Sequence, residues 1–136
     1  MARAGYSGTP LAKKLGIKPG HRVGLIAAPE GFEEQLEGLP EDAVLSRRAA
    51  GRFDVVVLFC RRRSELVRRF PKLAERLRRD GGLWVAWPKK SSGVATDLAF
   101  DSVQRTGLDA GLVDNKVCAV DETWSGLRFV YRLEDR

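Results

Sequence analysis

The sequence predicts a small three-layer α/β domain: a mostly parallel, Rossmann-like sheet that ends in a C-terminal antiparallel β-hairpin. Three observations predict it. Residues 53–60, FDVVVLFC, form a nearly continuous apolar run rich in β-branched residues, as expected of a central strand covered on both faces. Helical patterns separate the early strand-like runs, and a helical crossover returns the chain parallel to the strand it left. Residues 112–120 and 127–133 lie too close together for a helix between them, so they pair antiparallel.

The elements follow in chain order. Thr9 and Pro10 supply a cap and a first-turn proline and Gly16 a stop, predicting a short helix over residues 10–15 within an N-terminal extension of residues 1–20. Pro19–Gly20 turns the chain into an apolar strand at 23–28. Residues 31–37 read as a short acidic helix closed by Gly38 and Pro40, and 43–45 as a brief strand. After the central strand, Ser64 caps the longest helix, 65–79, whose Leu66, Phe70, Leu73 and Leu77 recur at helical spacing as the buried stripe. Arg68, Arg69, Lys72, Arg76 and Arg79 fall on its other side. Pro71 removes a backbone donor and predicts a kink or a break. Gly81–Gly82 ends the helix before a strand at 83–87, in which one of Trp84 and Trp87 is expected to face a helix layer and the other a loop. A last helix is predicted over 97–105, closed by Gly107.

Composition bounds the function classes. A chain of 136 residues with 43% hydrophobic and 31% charged residues reads as one soluble domain spanning 1–136. It holds no apolar run approaching the roughly 20 residues of a membrane span. The start, MARAGYSGTPLAKKLG, lacks the apolar core of a signal peptide, so a cytoplasmic location is expected. Cys60 and Cys118 are far apart, without C-x-x-C spacing or companion histidines, which argues for reduced thiols and against a zinc site. No metal or other cofactor is expected. The net charge of +6 is lopsided: residues 30–42 hold six acids and no base, whereas residues 46–90 hold fourteen Lys and Arg against four acids. Such a block steers polyanions, and it is equally the solvated surface of an arginine-rich chain.

Chemistry concentrates where strands end. In open α/β sheets ligands bind beyond the carboxyl ends of the strands. Residues 83–98, LWVAWPKKSSGVATDL, run from a strand through a cationic Ser/Gly loop to the helix-start signal Thr96–Asp97. The neighbouring strand ends in Arg61, Arg62, Arg63 and Ser64. Together with Lys89, Lys90, Ser91, Ser92, Gly93, Thr96 and Asp97, these residues are the candidate ligand site. Helix-start N–H groups and cations from both loops would converge on a phosphate, a nucleotide or an acidic group of a protein partner. The competing reading is that these are solvated charges pairing with Glu30, Glu33 and Glu34, and that Thr96 and Asp97 cap the helix that follows them.

No catalytic set emerges. The carboxylates are scattered and His21, the one histidine, has no partner in view. Cys60 precedes three arginines and a helix start, features that lower a thiol pKa, yet it closes a buried-looking strand; Cys118 reads as core. Asp121 and Glu122 ahead of Trp124 read either as an acidic turn with an aromatic lid or as a turn with Trp124 packed beneath it. The basic helix is an electrostatic footprint for nucleic acid, but without a helix-turn-helix or RNA-binding aromatic motif it supports salt-sensitive association rather than sequence-specific readout.

Two resemblances add to this. The segments GLWVAWPKKSSGVATDL and GLVDNKVCAVDETWSGLRFVYR resemble a bacterial domain-of-unknown-function family (number 3052), in which a strand ending W-P-K leads to T-D-L and a D-x-x-W-S-x-L-[RK]-F hairpin closes the domain. That resemblance covers most of residues 19–132 and implies a fold without an activity. More weakly, FDVVVLF, LRRDGGLWVAW and the terminal hairpin are similar to class I S-adenosylmethionine methyltransferases with elements trimmed away. That family places a Gly-rich turn after its first strand and a ribose-binding acid after its second. This chain has Ala27-Ala28-Pro29-Glu30-Gly31 and Ser46-Arg47-Arg48 instead. The expectation is therefore a non-enzymatic binding or regulatory domain, with a divergent methyltransferase-like enzyme or a protein-interaction module as alternatives.

Overall fold

Alternation along the chain sorts the apolar residues into two layers on either side of one sheet. The structure, a computed structural model, describes residues 8–136. Its strands are Arg22–Ile26 (β1), Val44–Ser46 (β2), Phe53–Phe59 (β3), Leu77–Pro88 (β4), Leu112–Ala119 (β5) and Trp124–Tyr131 (β6). The helices are Leu11–Lys14 (α1), Arg63–Arg76 (α2) and Phe100–Asp109 (α3), with 3-10 turns at Phe32–Gln35, Lys90–Ser92 and Leu133–Asp135. The sheet runs β2-β1-β3-β4-β6-β5. β1 pairs parallel with β2 and β3, and β3 with β4; β6 pairs antiparallel with both β4 and β5. This is the mixed α/β sheet with a terminal hairpin that the sequence predicts, and it puts the carboxyl ends of β1, β3 and β4 on one edge.

Side chains of successive strand residues point to opposite faces. Val56, Leu58, Leu83, Val85 and Trp87 therefore join Leu66, Phe70 and Leu73 of α2 and Val103 of α3 in one buried layer. Val55, Val57, Phe59, Trp84 and Ala86 join Ala12, Leu15, Ile17, Phe32 and Leu36 in the other. The second layer is thin, roofed by α1 and the Phe32–Gln35 turn where an acidic helix was expected. Part of the expected N-terminal extension thus belongs to the core; its first seven residues lie outside the described ones. Trp84 and Trp87 are both buried, one in each layer. Period-2 alternation separates them, and the Trp84 indole donates to the Leu15 carbonyl at 3.0 Å.

Three helix boundaries differ from the expectation. α2 covers 63–76 rather than 65–79, with Ser64 its second residue and not its cap, and it stays continuous through Pro71. Pro71 and Val67, whose carbonyl loses its donor, are both exposed, so solvent is at hand for that carbonyl and the lost bond costs little. Residues 77–82 are strand rather than helix: Leu77 pairs with Phe53, and the register then shifts so that Gly82 meets Val55. Gly81 and Gly82 permit that bulge rather than stop a helix. A Cβ at Gly81 would lie 2.5 Å from the Asp54 carbonyl, and one at Gly82 would overlap the Arg128 guanidinium. Finally, α3 begins at Phe100 and runs past Gly107, which is buried against the Phe129 ring. The Ser102 hydroxyl closes its first turn by accepting from the Ala99 N–H at 3.1 Å.

Candidate functional site

The carboxyl edge holds two arrangements, one at β3 and β4 and one at β1 and β2. At the first, Asp97 and Thr96 do not cap the helix that follows them. The Asp97 Oδ1 accepts from the Arg63 N–H at 2.7 Å, at the first turn of α2. The Thr96 hydroxyl donates to the Arg61 carbonyl at 2.6 Å and accepts from the Leu98 N–H at 3.1 Å, and the Asp97 N–H also points to the Arg61 carbonyl. The loop between β4 and α3 is thereby clipped to the start of α2. A carboxylate there satisfies an orphan donor and complements the helix dipole.

A cleft of about 240 Å³ opens beside this clip, lined by Arg61, Arg62, Ala95, Thr96 and Asp97. Of the predicted site residues, the structure brings those four polar ones together, with Arg63 contributing its N–H to Asp97 and Ser64 exposed on the next residue. Lys89, Lys90, Ser91, Ser92 and Gly93 lie on the same sheet edge but do not line the cleft. They form a 3-10 turn that the Ser92 hydroxyl closes onto the Lys89 carbonyl at 2.6 Å, with Gly93 at φ 75°. That turn is tied to the hairpin through the Lys89 N–H and the Thr123 carbonyl at 2.8 Å. The Asp121 carboxylate in turn accepts from the Thr123 and Trp124 N–H groups, which explains its place ahead of Trp124.

At the second arrangement, β1 is followed by Ala27 at φ 57°, and the turn there is covered by Arg47, the residue after β2. The guanidinium donates to the Ala28 and Pro29 carbonyls, each at 2.8 Å, and to both Glu33 carboxylate oxygens at 2.6 and 2.8 Å. Hydrogen bonds from Arg47 and from the residue's own backbone hold the Glu33 carboxyl down at about 2. The expected partners of Glu33, Arg61 to Arg63, are not its partners; Arg47 is. Beside this clamp the rings of Phe32, Phe59 and Trp124 meet edge to face at centroid distances of 4.9 and 5.0 Å, filling the space above the β3 carboxyl end. Sequence reasoning registered Arg47 only as a missing acid.

The remaining candidates are structural. Burial, reinforced by Glu65, pushes the Cys60 thiol up to about 12, so its place at the end of a buried strand outweighs the arginines that follow it. Burial also raises Cys118, which is part-buried against the α1-side layer. The His21 Nδ1 accepts from the Lys18 N–H at 3.1 Å and closes the Pro19–Gly20 turn.

Comparison with known proteins places this edge in context. The family described as "Protein of unknown function (DUF3052)" matches residues 12–133. The chain belongs to this family. No curated protein matches it. Among solved structures, this family member superposes on a precorrin-6y C5,15-methyltransferase from Geobacter metallireducens GS-15, with a TM-score of 0.62 at 11% identity, over 90% of this chain and 86% of the other. A SAM-dependent methyltransferase from Aquifex aeolicus gives 0.62 at 12% identity, over 88% and 86%. The magnesium protoporphyrin IX methyltransferase from Synechocystis PCC 6803 with bound SAM gives 0.59 at 13%, over 90% and 74%. At these identities the likeness is one of fold. Among the described residues, no helix is long and apolar enough to cross a membrane, and no cluster of three or more His, Cys, Asp or Glu could hold a metal ion.

Proposed function

We propose that this domain is a binding module that takes an anion of the phosphate class at the cleft between Arg61–Arg62 and Ala95–Asp97, on a methyltransferase-like sheet that performs no methyl transfer. The carrying observation is a pair of cations at a cleft whose one carboxylate, Asp97, is engaged by the Arg63 N–H. Arg61 and Arg62 are exposed at a lined cleft, and among the described residues neither has a carboxylate within ion-pair distance. Guanidinium groups there can bind phosphate oxygens in two-pronged, charge-assisted fashion, and Thr96 and Asp97 fix the loop that faces them. Lys89 and Lys90 add positive potential from the same edge.

The fold likeness favours a second reading, a divergent S-adenosylmethionine enzyme. Against it stands the Arg47 clamp, bonded to the Ala28 and Pro29 carbonyls across the turn after β1, where a loop that binds the cofactor's carboxylate would need open backbone donors. Pro29 removes one of those donors outright.

A tripolyphosphate titration tests the proposal. A ligand that binds only the folded state raises the melting temperature by mass action, and this effect should fade with added salt. Arg61→Ala with Arg62→Ala should abolish the rise while leaving the ligand-free melting temperature nearly unchanged. Lys89→Ala with Lys90→Ala should weaken it. Full retention in the arginine pair would overturn the site, and micromolar binding of S-adenosylmethionine by calorimetry would overturn the non-enzymatic reading.

A further inference from the structure

We propose that the solvent face of α2 is a docking surface for the phosphodiester backbone of nucleic acid, read without regard to base sequence. The helix buries Leu66, Phe70, Leu73 and Ala74 and turns Arg63, Arg68, Lys72 and Arg76 outward, all exposed, with the Arg76 guanidinium also donating to the Gly51 carbonyl at 3.3 Å. Arg68, Lys72 and Arg76 stand four residues apart, so their charges repeat about every 6 Å along one side of a helix roughly 21 Å long. Arg61 and Arg62 lie just before its N-terminus, at the cleft that they line with Asp97. Among the described residues, none of these cations has a carboxylate within ion-pair distance; the ion pairs present are Arg47–Glu33 and Arg78–Asp54. On the helix itself, half-buried Glu65 and exposed Glu75 subtract from the field without cancelling it.

Two features single out a nucleic-acid backbone. The acidic block of residues 30–42 sits on the opposite side of the sheet, since Phe32 and Leu36 pack into the α1-side layer while α2 packs into the other. A polyanion on α2 therefore meets no acidic neighbour from that block. The one aromatic on α2, Phe70, is fully buried, so the face has no ring on which a base could stack. What remains is a row of point charges, the chemistry of phosphate contacts that position a strand and carry no sequence information.

Fluorescence anisotropy with labelled single strands and duplexes of two unrelated sequences tests this. Binding is expected at 50 mM salt, equal for the two sequences, and about 100-fold weaker at 200 mM if about five phosphates are neutralised on a single strand. The single-strand and duplex arms identify which form fits the helix. Arg68→Gln with Lys72→Gln should reduce affinity about tenfold and flatten the single-strand salt slope by about 1.4. Arg68→Lys should retain binding. Lys13→Gln with Lys18→Gln, an equal loss of charge on the other side of the sheet, should leave binding unchanged. Equal weakening by the two double variants, or no binding at low salt, would overturn the proposal. So would a salt-sensitive dimer in place of complex formation, which would assign the surface to the acidic side of a second copy. Because Arg61 and Arg62 are intact in these variants, the tripolyphosphate response can persist or fail independently.

Discussion

Asp97 caps a helix that began 34 residues before it: its carboxylate receives the Arg63 N–H from across the sheet edge. Removing it therefore acts on α2 rather than on α3. Asp97→Ala should cost about 1 kcal/mol, the usual worth of an N-terminal cap, read as a lower denaturant midpoint at unchanged slope. Asp97→Asn keeps an acceptor and removes a charge, so it should be nearly neutral for stability and should strengthen tripolyphosphate binding. Weaker tripolyphosphate binding in the asparagine variant would contradict a cleft that attracts anions.

Acid should release the Arg47 clamp. The Glu33 carboxyl titrates at about 2 in the folded protein, below the roughly 4.3 of an unfolded chain, so its contribution is complete above the latter value. It falls away as pH drops below that value and is mostly gone by about 2, where the folded carboxyl is itself half protonated. The pair is about 40% exposed, so solvent screening keeps the contribution below about 1 kcal/mol. The stability gap between the wild type and Glu33→Gln should be constant above pH 5 and mostly close by pH 2. A gap that persists undiminished at pH 2 would mean that the carboxylate is not its source.

Cys60 should be inert in the native state. Its thiol is buried and held near 12, so at pH 8 a maleimide or aromatic disulfide should label it only after unfolding. Labelling of Cys60 as fast as a model thiol, in protein that remains folded, would contradict its position.

Gly107→Ala should destabilise although alanine is the better helix former by about 1 kcal/mol. A Cβ at 107 would overlap Phe129, which is fully buried and packed edge to face on Phe70 at 5.1 Å. Overpacking of this kind costs about 1–3 kcal/mol. Adding Phe129→Leu should recover part of the loss in a thermal melt, whereas strict additivity of the two would rule out the clash.

The interior strands and the hairpin were legible because each is announced by its own residues: an apolar run at 53–59 broken only by Asp54, and a connector of a few residues ahead of Trp124. The misread boundaries have a common cause. Residues 77–82, charged and glycine-terminated, resemble a helix end, yet the sheet pairs them through a bulge that only the approach of Asp54 and Arg128 explains. Thr96 and Asp97 carry cap chemistry whose partner is distant in sequence, and capping residues do not name the helix they serve. For the same reason Arg61, Arg62, Thr96 and Asp97 were foreseeable as neighbours, while Arg47 over the first turn was not. Its carbonyl partners are backbone atoms, invisible as residue types.

Strand β4 carries Trp84 in one hydrophobic layer and Trp87 in the other, three residues apart on a single backbone. Neither layer can open without withdrawing the strand that walls the second, so the two cores should melt as one cooperative unit. Proteins retaining Trp84 alone or Trp87 alone should thus report superimposable fluorescence transitions, each indole a witness for a different side of the same event.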